Sequence, residues 1–423
     1  MRILLLNQAF YPDEVATSQY AADLATALSE DGHEVTVLCS ARGYDNPSRR
    51  FVLREVWKSI NIVRVEGTSF GKSSKWRRAV DFASFIFACT CRMPRLGGFD
   101  VIIALTTPPL ISSLGAIWKF LLGGRLVSWT MDLNPDEAIA AGWLDPSSKA
   151  ASVLQALKRF GLRQSDAVIV LDSFMRQRLI DCGTPEKKIA VVPLWSQDVA
   201  YFDAKGREDF RSKYGWEDKF VVMYSGNHSP CHSLHTLVEA ARRLRSRNDI
   251  EFAFVGGGSE FRKLQALVNA ESWPNVTCIP YQPREALAAS LSAADMHTVV
   301  MGNAFVGIVS PSKIYNILAI GAPVLYIGPA QSHVTDLFNQ MGHPPSLYSA
   351  EHSDVDLVVQ SILNACELGF SRPAVRYEPT ISRDALLPRL TSIVTDGVHF
   401  PAGGFQDAPE CPSCAETFME HVS

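Results

Sequence analysis

The chain has 423 residues, enough for two or three domains that each bury a core. Hydrophobic residues make up 47%, charged residues 20%, and the formal net charge is −4, so there is no basic surplus for nucleic acid. The opening apolar run is too short for a secretory leader, and no stretch reaches the ~18 uninterrupted apolar residues of a spanning helix. Nine scattered cysteines, mostly in apolar segments, point to reduced thiols in a cytoplasmic setting.

RILLL (2–6) reads as a buried strand, the segment 19–33 as an amphipathic helix closed by Gly32, and EVTVLC (34–39) as a second strand. In the intervening turn, YPDEVATS, the side chains of Asp13, Glu14, Thr17 and Ser18 follow the strand's carboxyl end. They either face an acceptor or phosphate, or Thr17 and Ser18 simply cap the helix. Strand patterns recur at 61–65, 100–105, 125–130, 166–171 and 189–194, mostly separated by helical ones. Such alternation predicts a parallel sheet covered on both faces, a doubly wound domain over 1–200. Between the strands at 61–65 and 100–105, the segment 71–98 is basic at both ends and apolar between them. It fits a core helix or a helix lying on an anionic membrane surface. In WTMDLNPDE, Asp132 comes just past a strand end, where a carboxylate orients or deprotonates an acceptor hydroxyl. Asp136 and Glu137 are weaker candidates, and turn or cap roles compete for all three.

The stretch 197–215 is polar and turn-rich, and the alternation restarts at 220–226, then 251–256, 276–281, 296–301 and 323–328. This predicts a second doubly wound domain over 215–375, a terminal helix over 376–398 and a mobile tail over 399–423. Two such domains face each other across a cleft at the carboxyl ends of their strands. The first strand–helix turn holds no glycine, so the G-x-G-x-x-G dinucleotide fingerprint is absent, as is a P-loop. Glycines gather instead after strands of the second domain, with Gly226 and Gly256 placed for close backbone approach to a ligand.

VSPSKIYNILAIGAPVLYIG (309–328) opens a helix with Ser310, Ser312 and Lys313. Hydroxyls, a lysine and unpaired helix N–H groups together suit a diphosphate. The plainer reading makes Ser310 an N-cap with Pro311 at the first helical position, and the two roles are compatible. His228, His232 and His235 stand near Cys231, but no carboxylate sits at ligand spacing, and no metal is expected. CPSC near the end, with His421, is a lone C-x-x-C and a weak zinc signal.

In this order the motifs resemble the family 4 retaining glycosyltransferases of the GT-B fold, in the bacterial branch that builds capsule, O-antigen and colanic acid type polysaccharides. YPDE, DGHEVTVLC, WTMDLNPDE, DAVIVLDSFMRQRL, IAVVPLWSQDVAYF, MYSGN, FVGGGSEFRKL, NVTCIPYQPREAL and SPSKIYNILAIGAPVLYIG carry the resemblance over about 2–340. It implies hexosyl or N-acetylhexosaminyl transfer from a nucleotide-sugar, a UDP-sugar above all, with retention of configuration and no cofactor, the nucleotide-sugar being a substrate. The acceptor is expected to be a polyprenyl-diphosphate-linked lipid or a glycan, met at the inner membrane face by a cytoplasmic, peripheral enzyme. Gly226, Asn227 and His228 would flank the donor diphosphate with Ser310, Ser312 and Lys313. Gly256, Pro280, Tyr281 and Leu287 would hold the nucleoside, and Asp132 and Lys313 would be catalytic. The wider family carries two glutamates for the donor sugar, eight positions apart; here Ile308 and Asn316 take their places, leaving Asn316 a neutral amide. An epimerase of the same architecture and a non-catalytic sugar-nucleotide binder remain alternatives.

Overall fold

The computed structural model describes residues 1–44, 46–70, 75–196, 200–369 and 382–398. The first unit contains β1 (Arg2–Leu6), α1 (Ala16–Glu30), β2 (Glu34–Ser40), β3 (Arg54–Trp57), β4 (Ile60–Val65) and α2 (Lys75–Arg92). It continues through β5 (Val101–Ala104), α3 (Ile111–Leu122), β6 (Arg125–Trp129), α4 (Asp136–Ala140), α5 (Lys149–Gln164), β7 (Ala167–Val170), α6 (Ser173–Asp181) and β8 (Ile189–Val191). Its sheet runs β3-β4-β2-β1-β5-β6-β7-β8, parallel except for the β3–β4 pair. VIIA of β5 and AVIV of β7 are buried along their whole length, as expected of parallel strands covered on both faces. Edge strand β3, with alternating exposure, has no counterpart in the sequence reading.

The second unit begins earlier than residue 215. Helix α7 (Ala204–Tyr214) lies in the stretch read as a polar linker, and its Arg207 and Arg211 both pair with the buried Asp295. Arg207 and Arg211 are polar for that buried pairing, while Lys205, Glu208, Asp209, Ser212 and Lys213 face solvent. There follow β9 (Phe220–Asn227), α8 (His235–Arg243), β10 (Ile250–Gly257), α9 (Ser259–Glu271), β11 (Val276–Ile279), α10 (Leu287–Ser292) and β12 (Met296–Val300). The unit closes with α11 (Lys313–Ile320), β13 (Val324–Ile327), α12 (His333–Gln340), β14 (Leu347–Ala350) and α13 (Val355–Leu368). Its sheet runs β11-β10-β9-β12-β13-β14, all parallel.

The chain then returns to the first unit. α14 (Arg383–Thr395) packs on α1, Arg383 pairs with Asp23 at 3.4 Å, and Arg125 donates to the Thr395 carbonyl at 2.6 Å. The predicted tail over 399–423, with CPSC and His421, lies outside the described residues. In each sheet the strand order reverses at one strand, β1 between β2 and β5, and β9 between β10 and β12. Ligands of open α/β sheets bind outside the carboxyl ends at such points. The units also touch: Leu133 N–H donates to the Ile308 carbonyl at 2.9 Å, and Asp132 and Val309 form an antiparallel bridge. Arg178 of α6 donates to the Val306 carbonyl at 2.7 Å beside them.

Candidate active site

The end of β9 and the start of α11 meet at Lys313. Its ammonium lies 3.5 Å from the centroid of the Tyr224 ring and has no hydrogen-bond partner among the described residues. Burial holds its pKa down, from 10.5 to about 7. The lysine passes over Gly226, where an added Cβ would come within 3.2 Å of Nζ and 3.3 Å of Cε. Gly226 has φ +132°, so the site demands glycine twice, for backbone conformation and for room. Beside it in register stands Gly256, φ +135°, packed onto the Gly226 carbonyl so closely that a Cβ would overlap it at 2.0 Å.

The hydroxyls at the mouth of α11 do not cap it. The helix begins at Lys313 with Ser312 as N-cap, which makes no side-chain capping bond, and this corrects the reading of Ser310 as cap with Pro311 at the first position. Ser310 Oγ is buried without a partner among the described residues. A buried hydroxyl and a buried amine, both unpaired at a helix N-terminus, leave donors aimed at no protein acceptor. Asn316, one turn further on, is half-exposed between buried Tyr315 and Ile317.

Asn227 is exposed at the end of β9, where the loop begins, and Tyr224 donates its hydroxyl to the Asn227 carbonyl at 2.8 Å. His228 is fully buried beneath that loop. Its Nδ1–H donates to the Gly226 carbonyl at 2.9 Å and its ring packs edge-on to Tyr224 and Phe261. Burial first, then the charge of Lys313, pushes its pKa down to about 4. His232 donates from Nδ1 to the Val300 carbonyl at 2.8 Å and is driven to about 3 for the same reasons. Both imidazoles are therefore neutral at pH 7, and His235 stands apart at the exposed start of α8. Among the described residues no three His, Cys, Asp or Glu side chains cluster to hold a metal.

On the nucleoside side, the Tyr281 ring lies over the Gly257 backbone, where a Cβ would come within 2.9 Å of it. Pro280 is exposed and Leu287 half-buried at the start of α10. Gly256, Tyr281 and Lys313 are thus brought together around the ends of β9 and β10.

Across the cleft, Asp132 lies three residues past the end of β6. Burial, and then the neighbouring carboxylate of Glu137, lifts its pKa to about 7. Glu137 accepts from Asn134 at 3.1 Å, while Asp136 is engaged elsewhere, in a buried ion pair with Lys158 at 2.6 Å that ties α4 to α5. A pocket opens beside Asp132, lined among others by Thr106, Ser112, Ser128, Thr130 and Lys158. Cys231 stands between the two sides: burial raises its thiol to about 11, and the negative charges of Glu137 and Asp132 add to the rise. The same thiol favours the charged form of Lys313.

At the end of β1 the acidic turn organises itself. The Asp13 carboxylate accepts from Tyr44 N–H at 2.6 Å and Glu14 N–H at 3.1 Å. Ser18, buried, donates its hydroxyl to the Asp13 carbonyl at 2.7 Å, and α1 has Val15 rather than Thr17 or Ser18 as N-cap. Glu14 is exposed and Thr17 half-exposed. Sequence reasoning missed Tyr224 and Cys231. An aromatic inside a strand looks like core, and Cys231, in a polar loop, reads only as a metal ligand, until the fold sets both beside Lys313.

Residues 16–195 match the family described as glycosyl transferase 4-like domain, and residues 206–327 match glycosyl transferases group 1. The chain is 26% identical over 407 residues to WcaI of Escherichia coli K12, named a colanic acid biosynthesis glycosyl transferase, covering 92% of this chain and 98% of that one. Among solved structures it resembles a sucrose-phosphate synthase from Thermosynechococcus elongatus, with a TM-score of 0.70 at 15% identity over 93% of this chain and 98% of that one. It also resembles Anabaena Alr3699/HepE, solved with UDP and glucose, with a TM-score of 0.63 at 15% identity over 94% and 96%.

Proposed function

Because the chain belongs to the GT-B glycosyltransferases, a 4-like domain followed by a group 1 domain, we propose that it transfers a sugar from a UDP-sugar, with retention, to a lipid-linked or glycan acceptor in bacterial polysaccharide biosynthesis. The observation that carries this reading is the unpaired pair of Lys313 and Ser310 at the mouth of α11, facing the glycine ends of β9 and β10. Protein donors buried without an acceptor are satisfied by a ligand that brings oxygens, and a sugar nucleotide brings a diphosphate there. The polysaccharide role follows the likeness to WcaI, and uridine follows the solved likeness that holds UDP.

In the reaction, the bond between the sugar's anomeric carbon and the β-phosphate oxygen breaks while the acceptor oxygen bonds to that carbon on the same face. The acceptor's proton passes to the departing phosphate oxygen. Lys313 and the first N–H groups of α11 stabilise the negative charge that builds on the diphosphate. Asp132, when ionised, accepts a hydrogen bond from the attacking hydroxyl and orients it. Tyr281 over Gly257 offers an aromatic wall for the base. A polyprenyl-diphosphate acceptor would place the enzyme at the inner membrane face.

The test is a mass-spectrometric screen of UDP- and GDP-sugars against polyprenyl-diphosphate-linked and glycan acceptors, followed by NMR of the product's anomeric coupling. Transfer from a UDP-sugar with the donor's configuration kept is the expected result. An inverted product overturns retention. A new sugar nucleotide formed without acceptor assigns an epimerase, and donor binding with no turnover on any acceptor assigns a binding protein.

A further inference from the structure

The chain crosses between the units twice, outward after β8 and back into α14, and the two crossings meet at one side chain. Asp23, in the middle of α1, is the only charged residue between Ala16 and Ser29. Its Oδ2 accepts the indole N–H of Trp195, four residues past the end of β8, at 2.9 Å. Its Oδ1 faces the guanidinium of Arg383, the first residue of α14, at 3.4 Å. Each oxygen of one carboxylate therefore holds a different crossing.

Trp195 connects this point to both halves of the reaction centre. It is fully buried, and its carbonyl accepts the Tyr20 hydroxyl of α1 at 2.9 Å. Its ring stands edge-on to Tyr20 and stacks on Trp129, with centroids 6.3 Å apart and 26° between the planes. Trp129 ends β6, three residues before Asp132. Trp195 belongs to one buried apolar cluster with Met131, which precedes Asp132, and with Ile314 and Tyr315, which follow Lys313. The returning helix is fixed at its far end as well, where Arg125 at the start of β6 donates to the Thr395 carbonyl at 2.6 Å. One strand thus leads to Asp132 at one end and holds α14 at the other.

We propose that Asp23 is a positioning residue for sugar transfer: by holding Trp195 and Arg383 at once, it sets the angle at which the second unit presents the donor to Asp132. This rests on the transferase reading, in which Asp132 and Lys313 serve the two substrates. The carboxylate supplies coupling rather than strength. An arginine–carboxylate contact between partly exposed side chains contributes little to stability, and a buried indole N–H needs only one acceptor. A single carboxylate serving both makes the two crossings move together. Asp132 and Lys313 ride on different units, and a misplacement of about 1 Å between reacting groups costs about 10²-fold in rate, so the angle between the units is read directly in turnover.

The full chain is compared as wild type, Asp23→Ala, Asp23→Asn, a Trp195→Phe/Arg383→Gln variant and that variant with Asp23→Ala added. Transfer is measured on the acceptor that the screen identifies, UDP affinity by calorimetry, and the radius of gyration of the UDP complex by small-angle scattering. Asp23→Ala is expected to lower kcat by about tenfold or more, with the donor KM and UDP affinity within about twofold of wild type and a larger radius of gyration. Asp23→Asn keeps an oxygen for the indole but no charge for Arg383; its kcat is expected to fall between the two, and it carries the test if the alanine variant does not fold. In the Trp195→Phe/Arg383→Gln background, Asp23→Ala is expected to cost less than about twofold more, because the partners it acts through are already gone. Wild-type kcat in either Asp23 variant, an unchanged radius of gyration, additive losses in the combined variant, or a UDP affinity that falls with kcat overturns the proposal. Asp23 variants that match an active wild type remove only this role and leave the transferase reading standing, whereas a wild type that transfers to no acceptor removes both.

Discussion

Lys313 ends where burial outweighs what the Tyr224 ring and the Cys231 thiol offer a protonated amine, with no hydrogen-bonded partner among the described residues. Its folded pKa of about 7 lies below the ordinary 10.5, so the folded state releases a proton that the unfolded chain keeps. The resulting penalty is full below pH 7 and fades as the pH rises to 10.5. Lys313→Met is therefore expected to stabilise the protein by about 0.5–2 kcal/mol at pH 6–7, the gain vanishing at high pH, while turnover falls by about 10²–10³-fold through loss of charge at the leaving group. Thermal melts across pH, read beside kcat, check both halves, and a variant that is active or less stable at pH 6 contradicts the role. Asp132 shifts the other way, up to about 7, and must be ionised to accept a hydrogen bond. The free enzyme thus needs one group deprotonated and another protonated around the same pH. The kcat/KM profile is expected to be a narrow bell centred near pH 7. In kcat the alkaline limb should move to higher pH, because a bound diphosphate favours the lysine's charge. Asp132→Asn should remove the acid limb, with kcat down by about 10²–10⁴-fold and UDP affinity unchanged.

At the scale of the element, the site depends on strand ends that have no side chain. Gly226→Ala sets a Cβ at a φ of +132°, a backbone conformation strained for an L side chain, and within 3.2 Å of Lys313 Nζ, so the end of the lysine must shift by a few tenths of an ångström. The expected result is a loss of about 1–3 kcal/mol in stability and at least tenfold in UDP affinity, measured by melting and calorimetry. Retained affinity would separate Lys313 from the donor site. These elements also show where sequence was a sufficient guide. Parallel strands such as VIIA and AVIV are continuous apolar runs, because both faces are buried, and glycines following them announce close backbone approach. α7 escaped because its arginines are buried by Asp295, a residue far along the chain, so its composition looked like linker. The mouth of α11 was legible as Ser-Pro-Ser-Lys, but not that its hydroxyls leave the cap unmade. That depends on Ser312 taking helical angles, which the short sequence does not dictate.

Across the whole molecule, the two units are held together at the position where the wider family is expected to carry a donor-sugar glutamate. Ile308 is 3% exposed and packs with Leu133, Leu162 and Met175 of the first unit, while its carbonyl accepts the Leu133 N–H. A carboxylate placed there would lie among aliphatic side chains, whereas isoleucine turns the same position into an interdomain contact next to the Asp132–Val309 bridge. Reverting it by Ile308→Glu sets a charge against that apolar contact at a cost of about 3 kcal/mol or more, unless the units part and hydrate it. Parting breaks the short bridge, the bonds beside it and the Ser173–Asp336 hydrogen bond between α6 and α12, whereas hydrating the carboxylate within a closed cleft would unpack Leu133, Leu162 and Met175. The variant is therefore expected to open: small-angle scattering should show a larger radius of gyration than the wild type, with Ile308→Ala remaining compact and losing about 2–5 kcal/mol of stability. Since Asp132 and Lys313 belong to different units, opening must separate acceptor from donor, and kcat should fall while UDP affinity holds. A compact Ile308→Glu variant with wild-type stability would mean that the Ile308 contact does not set the distance between the two halves of the site.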